Sequence, residues 1–228
     1  AMEYQGLDDA RHAPLCPVNV TPAHRVREVA ADEARVVAAA RMSARRRWAL
    51  LRHQLGVGSR SLFRAVVMVP AMGALTALPM AARVLFPRWV GRLHARFMAR
   101  IIPAPKTRLE AIAEASDAPG ALGGFTLDEA ADRMQGALEN MGLTRRFARL
   151  VVVLGHGASS VNNPHRSAYD CGACGGRHGA PNARLFAELG NHPGVRERLR
   201  ARGVAVPDDT VFVGGMHNTT HDGVALSD

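Results

Sequence analysis

Apolar positions along this chain change their spacing several times, and each change predicts an element. Residues 1–24 carry the turn formers Gly6, Pro14, Pro17 and Pro22 with no clear period, which predicts an extended loop holding at most one short strand. Over 26–55 the apolar residues Val29, Ala30, Val36, Val37, Ala40, Trp48, Leu51 and Leu55 are spaced by threes, fours and sevens, and arginines fill the opposite face. That pattern predicts a helix. An uncharged run of eighteen residues, 65–82, lies between Arg64 and Arg83. Its length suits a membrane span, but Pro70, Gly73 and Pro79 interrupt it, so a broken helical pair is the expectation. A third helix is predicted over 87–100, where Trp89, Leu93 and Phe97 recur on one side and Arg88, Arg92, Arg96 and Arg100 form a row on another. Its apolar side suits either a protein core or a bilayer surface.

Pro103 and Pro105 then punctuate the chain and mark a hinge. Beyond them Thr126 and Glu129 have capping-box spacing, which predicts a helix over 127–141. The β-branched run Leu150-Val151-Val152-Val153-Leu154 predicts a buried strand ending at Gly155. Helices are expected over 181–189 and 195–202, with a second strand over 210–213. Helix, strand, glycine-rich loop, helix and strand make an α/β pattern. The chain therefore divides into an extended segment, 1–25, that continues a core from upstream. A basic helical lobe follows over 26–102, and an α/β part over 103–228.

Composition adds a charge to this picture. The formal net charge is +9, carried almost wholly by arginine with Lys106 the only lysine, and the basic residues concentrate in 41–100. An arginine excess can record base composition of the genome, or it can serve attraction to an anionic membrane surface or an acidic partner. No nucleic-acid-binding signature or aromatic interleaving accompanies it, so nucleic acid is not an expected partner. The three cysteines, Cys16, Cys171 and Cys174, are too few for a disulfide framework, and the polar, acidic opening is no signal peptide. A reducing cytosolic compartment fits, with the opening Ala1-Met2-Glu3-Tyr4 reading as a start within a domain.

The candidate chemistry follows the 150–154 strand. His156 stands between Gly155 and Gly157, and Cys171 follows fifteen residues later in a second glycine-rich stretch. The carboxyl edge of an α/β sheet is where such folds deliver functional side chains. Imidazole and thiolate are ligand types that zinc prefers. Cys171-Gly172-Ala173-Cys174 also reads as a redox dithiol or half of a zinc ribbon, although no second pair completes a ribbon. His165, His178 and His192 fall in loops as solvated side chains, whereas His217 and His221 are placed to line the same edge as His156. Asn162 and Asn163 before Pro164 suit a tight turn, and Asp170 suits either a turn or an acceptor that orients a neighbouring ligand.

Taken in order, three segments resemble the DabA family of inorganic carbon transporter subunits. They are Gly6-Leu-Asp-Asp-Ala-Arg-His-Ala-Pro-Leu-Cys-Pro17, the stretch from His156 through Gly176 with Gly179-Ala-Pro-Asn-Ala-Arg184, and Met216-His-Asn-Thr-Thr-His-Asp222. The resemblance implies a zinc site like that of β-type carbonic anhydrases, built from two cysteines, an aspartate and a histidine. Carried onto this chain, the histidine falls on His156 and one cysteine on Cys171, with Cys174 outside the ligand set. The other cysteine and the aspartate belong to a Cys-x-Asp-x-Arg motif that this sequence lacks, since Cys16 is followed by Pro17-Val18-Asn19. The family's members are several times longer, so the chain reads as an internal or C-terminal fragment, inactive and weak in metal binding by itself.

The resemblance further implies a β-carbonic-anhydrase-like sheet with an arginine-rich helical lobe and Zn2+ as the cofactor. It implies hydration of CO2 to trap bicarbonate, and a membrane partner, DabB, of the proton-channel type. The expected location is peripheral, on the cytoplasmic face of the inner membrane.

Overall fold

His24 and Val26 are buried while Arg27 points to solvent, an alternation of period two that makes a strand rather than the start of a helix. The computed structural model, which describes residues 2–7, 11–12, 22–58, 62–113, 123–160, 163 and 165–227, places a strand at His24–Ala30. Numbered in chain order, the first strands are β1 (Met2–Gln5), β2 (Arg11–His12), β3 (His24–Ala30) and β4 (Thr107–Glu110). They form one sheet in the order β2-β1-β3-β4, with β1 parallel to β3. In its register Glu3 lies opposite Arg25, and the two form an ion pair at 3.0 Å. This corrects two expectations: residues 1–24 are more than loop, and the helix predicted from Val26 begins later. Val29 and Ala30 match a helical spacing only by coincidence, because the residues before them, His24 to Arg27, alternate in burial. Cys16, Asn162 and Pro164 lie outside the described residues.

The chain divides into two compact units. One comprises Ala1–Val29, Thr107–Ser160 and Pro164–Asp228; the other comprises Ala30–Lys106 with Val161–Asn163. The second unit is helical: α1 (Arg35–Gly58), α2 (Leu62–Leu85) and α3 (Pro87–Ile101). Pro70 and Pro79 both lie inside α2, so the predicted break does not occur. A proline removes one intrahelical bond and crowds the preceding turn, but a long run of alanine, leucine and methionine leaves the rest of the ladder intact. These helices bury little of themselves. Val66, Leu75 and Leu78 on α2 are exposed, as are Trp89, Leu93 and Phe97 on α3.

The first unit also holds α4 (Leu127–Asn140), β5 (Leu150–Gly157), α5 (Ala180–Asn191), α6 (Pro193–Ala201), β6 (Val211–Asn218) and β7 (Gly223–Leu226). The predicted capping box is present: Glu129 N–H donates to the Thr126 hydroxyl at 3.2 Å, and Thr126 N–H donates to the Glu129 carboxylate at 2.9 Å. A second sheet runs β5-β6-β7, with β5 and β6 parallel and β7 antiparallel to β6. The crossover from β5 to β6 passes through α5 and α6, as parallel pairing requires. Phe212 on β6 is fully buried, with Phe147 and Phe186 edge-on to it at 6.4 and 6.0 Å. Met134 and Leu138 of α4 and Val195 and Leu199 of α6 complete this core. The architecture is mixed α/β.

Candidate metal centre

Both strands that carry candidate ligands run further than the apolar runs predicted. β5 continues through Gly155-His156-Gly157, and β6 through His217-Asn218. Parallel pairing sets His156 opposite His217 at the carboxyl end of the sheet. Register partners share a face, so both imidazoles belong to the same side. His156 is exposed; His217 is half-buried, its Nε2 3.1 Å from the Asp222 carboxylate. His221 accepts the Gly223 N–H at Nδ1, 3.1 Å away, within the turn between β6 and β7.

The glycine before His156 has a use that the sequence did not reveal. A Cβ on Gly155 would lie 2.2 Å from the carbonyl carbon and oxygen of Gly179, so the backbone before α5 crosses directly over β5. Gly179 N–H donates to the His156 carbonyl at 2.8 Å. The glycine therefore makes room for the protein's own chain rather than for a ligand. The other end of the same loop is fastened too, since Ala158 N–H donates to the Asp170 carboxylate at 2.7 Å. Asp170 also lies 3.4 Å from His178 Nε2. Cys171, the next residue, sits between these two clamps.

Around Cys171 the backbone closes tightly. Its N–H donates to the Arg177 carbonyl at 2.9 Å, and its carbonyl accepts from Cys174 and Gly176, each at 3.0 Å. Gly175 and Gly176 supply the positive φ values, 67° and 71°, that the turn needs. Both thiols are free and half-buried. Burial, and then the neighbouring Cys171 thiol, push the Cys174 thiol up to about 11, although the Asn182 amide donates to its sulfur at 3.2 Å. Reactive redox thiols are shifted the other way. Asn182 also lines a cleft of about 270 Å³ with Phe125, Arg133 and Leu185.

The structure thus places His156 and Cys171 at the same end of the sheet. Among the described residues, no group of three or more His, Cys, Asp or Glu is arranged to hold a metal ion. His165 is exposed, as expected, but His192 departs from its expectation: its Nδ1 is buried between α5 and α6 with no hydrogen-bond partner.

One contributor escaped the sequence reading. Arg184 on α5 donates to the Glu28 carboxylate on β3 at 3.0 Å and to the Thr107 carbonyl on β4, while the Thr107 hydroxyl donates to Glu28 at 2.6 Å. Burial, and then the charge of Glu28, hold the nearby Tyr4 hydroxyl above its usual pKa. This network ties α5, and so the Gly179 clamp, to the first sheet. Partners so far apart in sequence leave no local signal.

The described residues present the His156 imidazole and the Cys171 loop at the carboxyl end of a parallel strand pair, on a mixed α/β frame. The family model described as probable inorganic carbon transporter subunit DabA matches residues 1–228, and the chain belongs to that family. Two proteins of Sorangium cellulosum, named probable inorganic carbon transporter subunit DabA 2 and DabA 1, are 53% and 51% identical to it over 228 residues. Each match covers all of this chain and 22% of the relative. A Methylococcus capsulatus protein named probable inorganic carbon transporter subunit DabA is 43% identical over 245 aligned residues, again all of this chain and 22% of the relative. The chain therefore spans less than a quarter of the length of these relatives. No solved structure matches it.

Proposed function

We propose that this chain is the part of an inorganic carbon transporter subunit that supplies His156 and Cys171 to a zinc site for CO2 hydration. The observation that carries this reading is the clamped loop: Asp170 bound to Ala158 and Gly179 bound to His156 hold Cys171 at the strand end where His156 is exposed. The donor set suits zinc, which takes thiolate and imidazole readily. It is incomplete, because two donors do not hold zinc firmly, so the remaining ligands come from the rest of the subunit. The fold proposed for the complete site is the β-carbonic-anhydrase-like sheet.

Zinc, when bound, supplies the Lewis acidity that makes water a nucleophile near neutral pH. The chain's own residues hold and orient. His156 offers its imidazole from a strand whose carbonyl is already fixed by Gly179. Cys171 is the thiol assigned to the metal, and Cys174, half-buried beside it, is left outside the ligand set.

The helical unit is proposed to meet the inner membrane and a DabB-type proton-channel subunit. From Arg35 to Lys106 the sequence holds thirteen arginines, one lysine and no acidic residue. Within that unit Ala65–Leu85 is long and apolar enough to cross a bilayer, and none of it is buried. Apolar surface in an arginine-rich stretch of sequence suits an anionic leaflet.

The test is the zinc content of the full-length subunit, wild type against His156→Ala, Cys171→Ala and Cys174→Ala. The reading expects about one zinc per chain, lost in the first two variants and kept in the third. Zinc unchanged in the first two would return the chain to a metal-free interaction role, and equal loss from both cysteine variants would favour a dithiol.

A further inference from the structure

Among the described residues, strand β5 is at the edge of its sheet, and the backbone of Leu150, Val152 and Leu154 is open there. Val211 N–H donates to the Arg149 carbonyl at 2.8 Å, and Thr219 N–H donates to the Gly157 carbonyl at 2.9 Å. The register between them is unbroken, from Leu150 opposite Val211 to Gly157 opposite Asn218. In a parallel ladder, alternate residues turn both their N–H and their C=O toward a given neighbour. Val151, Val153, Gly155 and Gly157 therefore bond to β6, while Leu150, Val152 and Leu154 turn their backbone groups to the opposite edge. His156 is next in that series, and its carbonyl is taken by Gly179. Among the described residues, no strand lies along Leu150, Val152 and Leu154.

The same three residues expose their side chains, at 56%, 44% and 43%. Their face of the sheet continues through Val211 on β6 and Val224 and Leu226 on β7, all half or more exposed. The opposite face is covered by α5, as the contacts of Gly155 with Gly179 and of Gly214 with Arg184 attest. All-parallel sheets occur almost only with both faces covered, and β5 and β6 are the parallel part of this one. Natural edge strands are protected by charge, proline or a bulge, and Leu150-Val151-Val152-Val153-Leu154 has none of these.

We propose that the open edge of β5 receives a β-strand from the same subunit, contributed by residues outside 1–228. Alternating N–H and C=O groups in a straight row are matched by another extended backbone. A lipid tail or a lone helix laid on the face would leave them unpaired, which is costly away from water. Relatives of which this chain spans 22% have ample polypeptide to provide the strand. A segment in the same chain also has a high effective concentration for the edge. Such a strand would end within about one interstrand spacing of His156, some ~5 Å, where further donors are needed under the zinc reading. The pairing itself stands independently of zinc.

The experiment is hydrogen–deuterium exchange on the full-length wild-type subunit, with fragmentation that resolves single residues. The Val152 and Leu154 amides are expected to exchange within about tenfold of those of Val151 and Val153, as in a strand bonded on both sides. Exchange at Val152 and Leu154 faster by a hundredfold or more would overturn the proposal. A photo-crosslinking benzoylphenylalanine at Val152 identifies the occupant. A product with residues of the same chain outside 1–228 supports the strand, whereas a product with a second copy, another subunit or residues within 1–228 overturns it. Zinc is measured on the same preparation, so a zinc-free subunit with protected amides would end the metal reading and leave the strand.

Discussion

The Ala158 N–H donates to the Asp170 carboxylate at 2.7 Å, so the residue beside Cys171 is fastened two positions beyond His156. The Asp170 side chain is only 6% exposed and also lies beside His178. A charged acceptor on a buried amide is worth about 1.5–3 kcal/mol. Asp170→Ala removes it and should free the Cys171 loop, weakening zinc retention by about 10–100-fold, the usual cost of losing such a support. Asp170→Asn keeps a carbonyl acceptor and should cost less. Chelator competition on the full-length subunit reads the zinc effect, and exchange at the Ala158 amide reads the clamp itself. Equal zinc retention in wild type and Asp170→Ala would remove Asp170 from any supporting role.

Two glycines should respond to alanine in opposite directions. At Gly155 the new methyl would overlap the Gly179 backbone at 2.2 Å, and a backbone cannot swing aside as a flexible side chain can. Gly155→Ala should destabilise the β5–α5 contact by about 1–3 kcal/mol or more. Gly136 lies inside α4 with nothing within 4 Å of an added Cβ. Gly136→Ala should stabilise that helix by about 0.4–1 kcal/mol. Local exchange rates in β5 and α4 of the full-length subunit report each effect. A neutral Gly155→Ala would mean that the α5 entry is looser than its close approach implies.

Much of the α/β part was legible because its signals are local. Thr126 and Glu129 are three residues apart, and their hydrogen bonds are the ones the spacing predicts. The valine run found β5, and Pro181 found α5. The first sheet was not legible, because β1 and β2 are too short to show a period and β3 pairs with partners distant in sequence. Helix α2 was misread through its prolines, whose penalty is one bond rather than a boundary. At the candidate site the residue types and spacing pointed to His156 and Cys171, but the clamps did not show in advance. Asp170 reaches back twelve residues and Arg184 reaches back 156, and neither span has a sequence period.

The two cysteines should differ in their response to pH. Burial, with the Cys171 thiol beside it, raises Cys174 to about 11. The thiolate is the reactive form, so at pH 8 only about one Cys174 in a thousand is ready to react. Its alkylation by iodoacetamide should rise about tenfold per pH unit from pH 8 to pH 10 and level off only near 11. The direction follows from the shift, because a raised acid keeps its proton to higher pH. Mass spectrometry of the alkylated Cys174 peptide follows the rate, using zinc-free subunit so that metal does not protect the thiols. A plateau below pH 9 would put Cys174 among the activated thiols and reopen the dithiol reading.

On α3, Arg92, Arg96 and Arg100 are exposed along one row, while Trp89, Leu93 and Phe97 are exposed on another. If this helix lies on an anionic leaflet, each arginine near the surface contributes about 1 kcal/mol. Replacing all three by glutamine should therefore weaken binding by about 3 kcal/mol, or roughly 100-fold. Charge reversal to glutamate should weaken it further. The measurement is co-sedimentation of the full-length subunit with vesicles containing phosphatidylglycerol, at low and high salt. Binding should fall with salt in the wild type and fall less steeply in the variants, because counter-ions screen exposed charges. Trp89→Ala with Phe97→Ala should instead weaken binding equally at both salt concentrations, since apolar burial is not screened. If the arginine variants bound as the wild type does, the row would belong to a protein partner or to solvent, and α2 alone would carry any attachment to the bilayer.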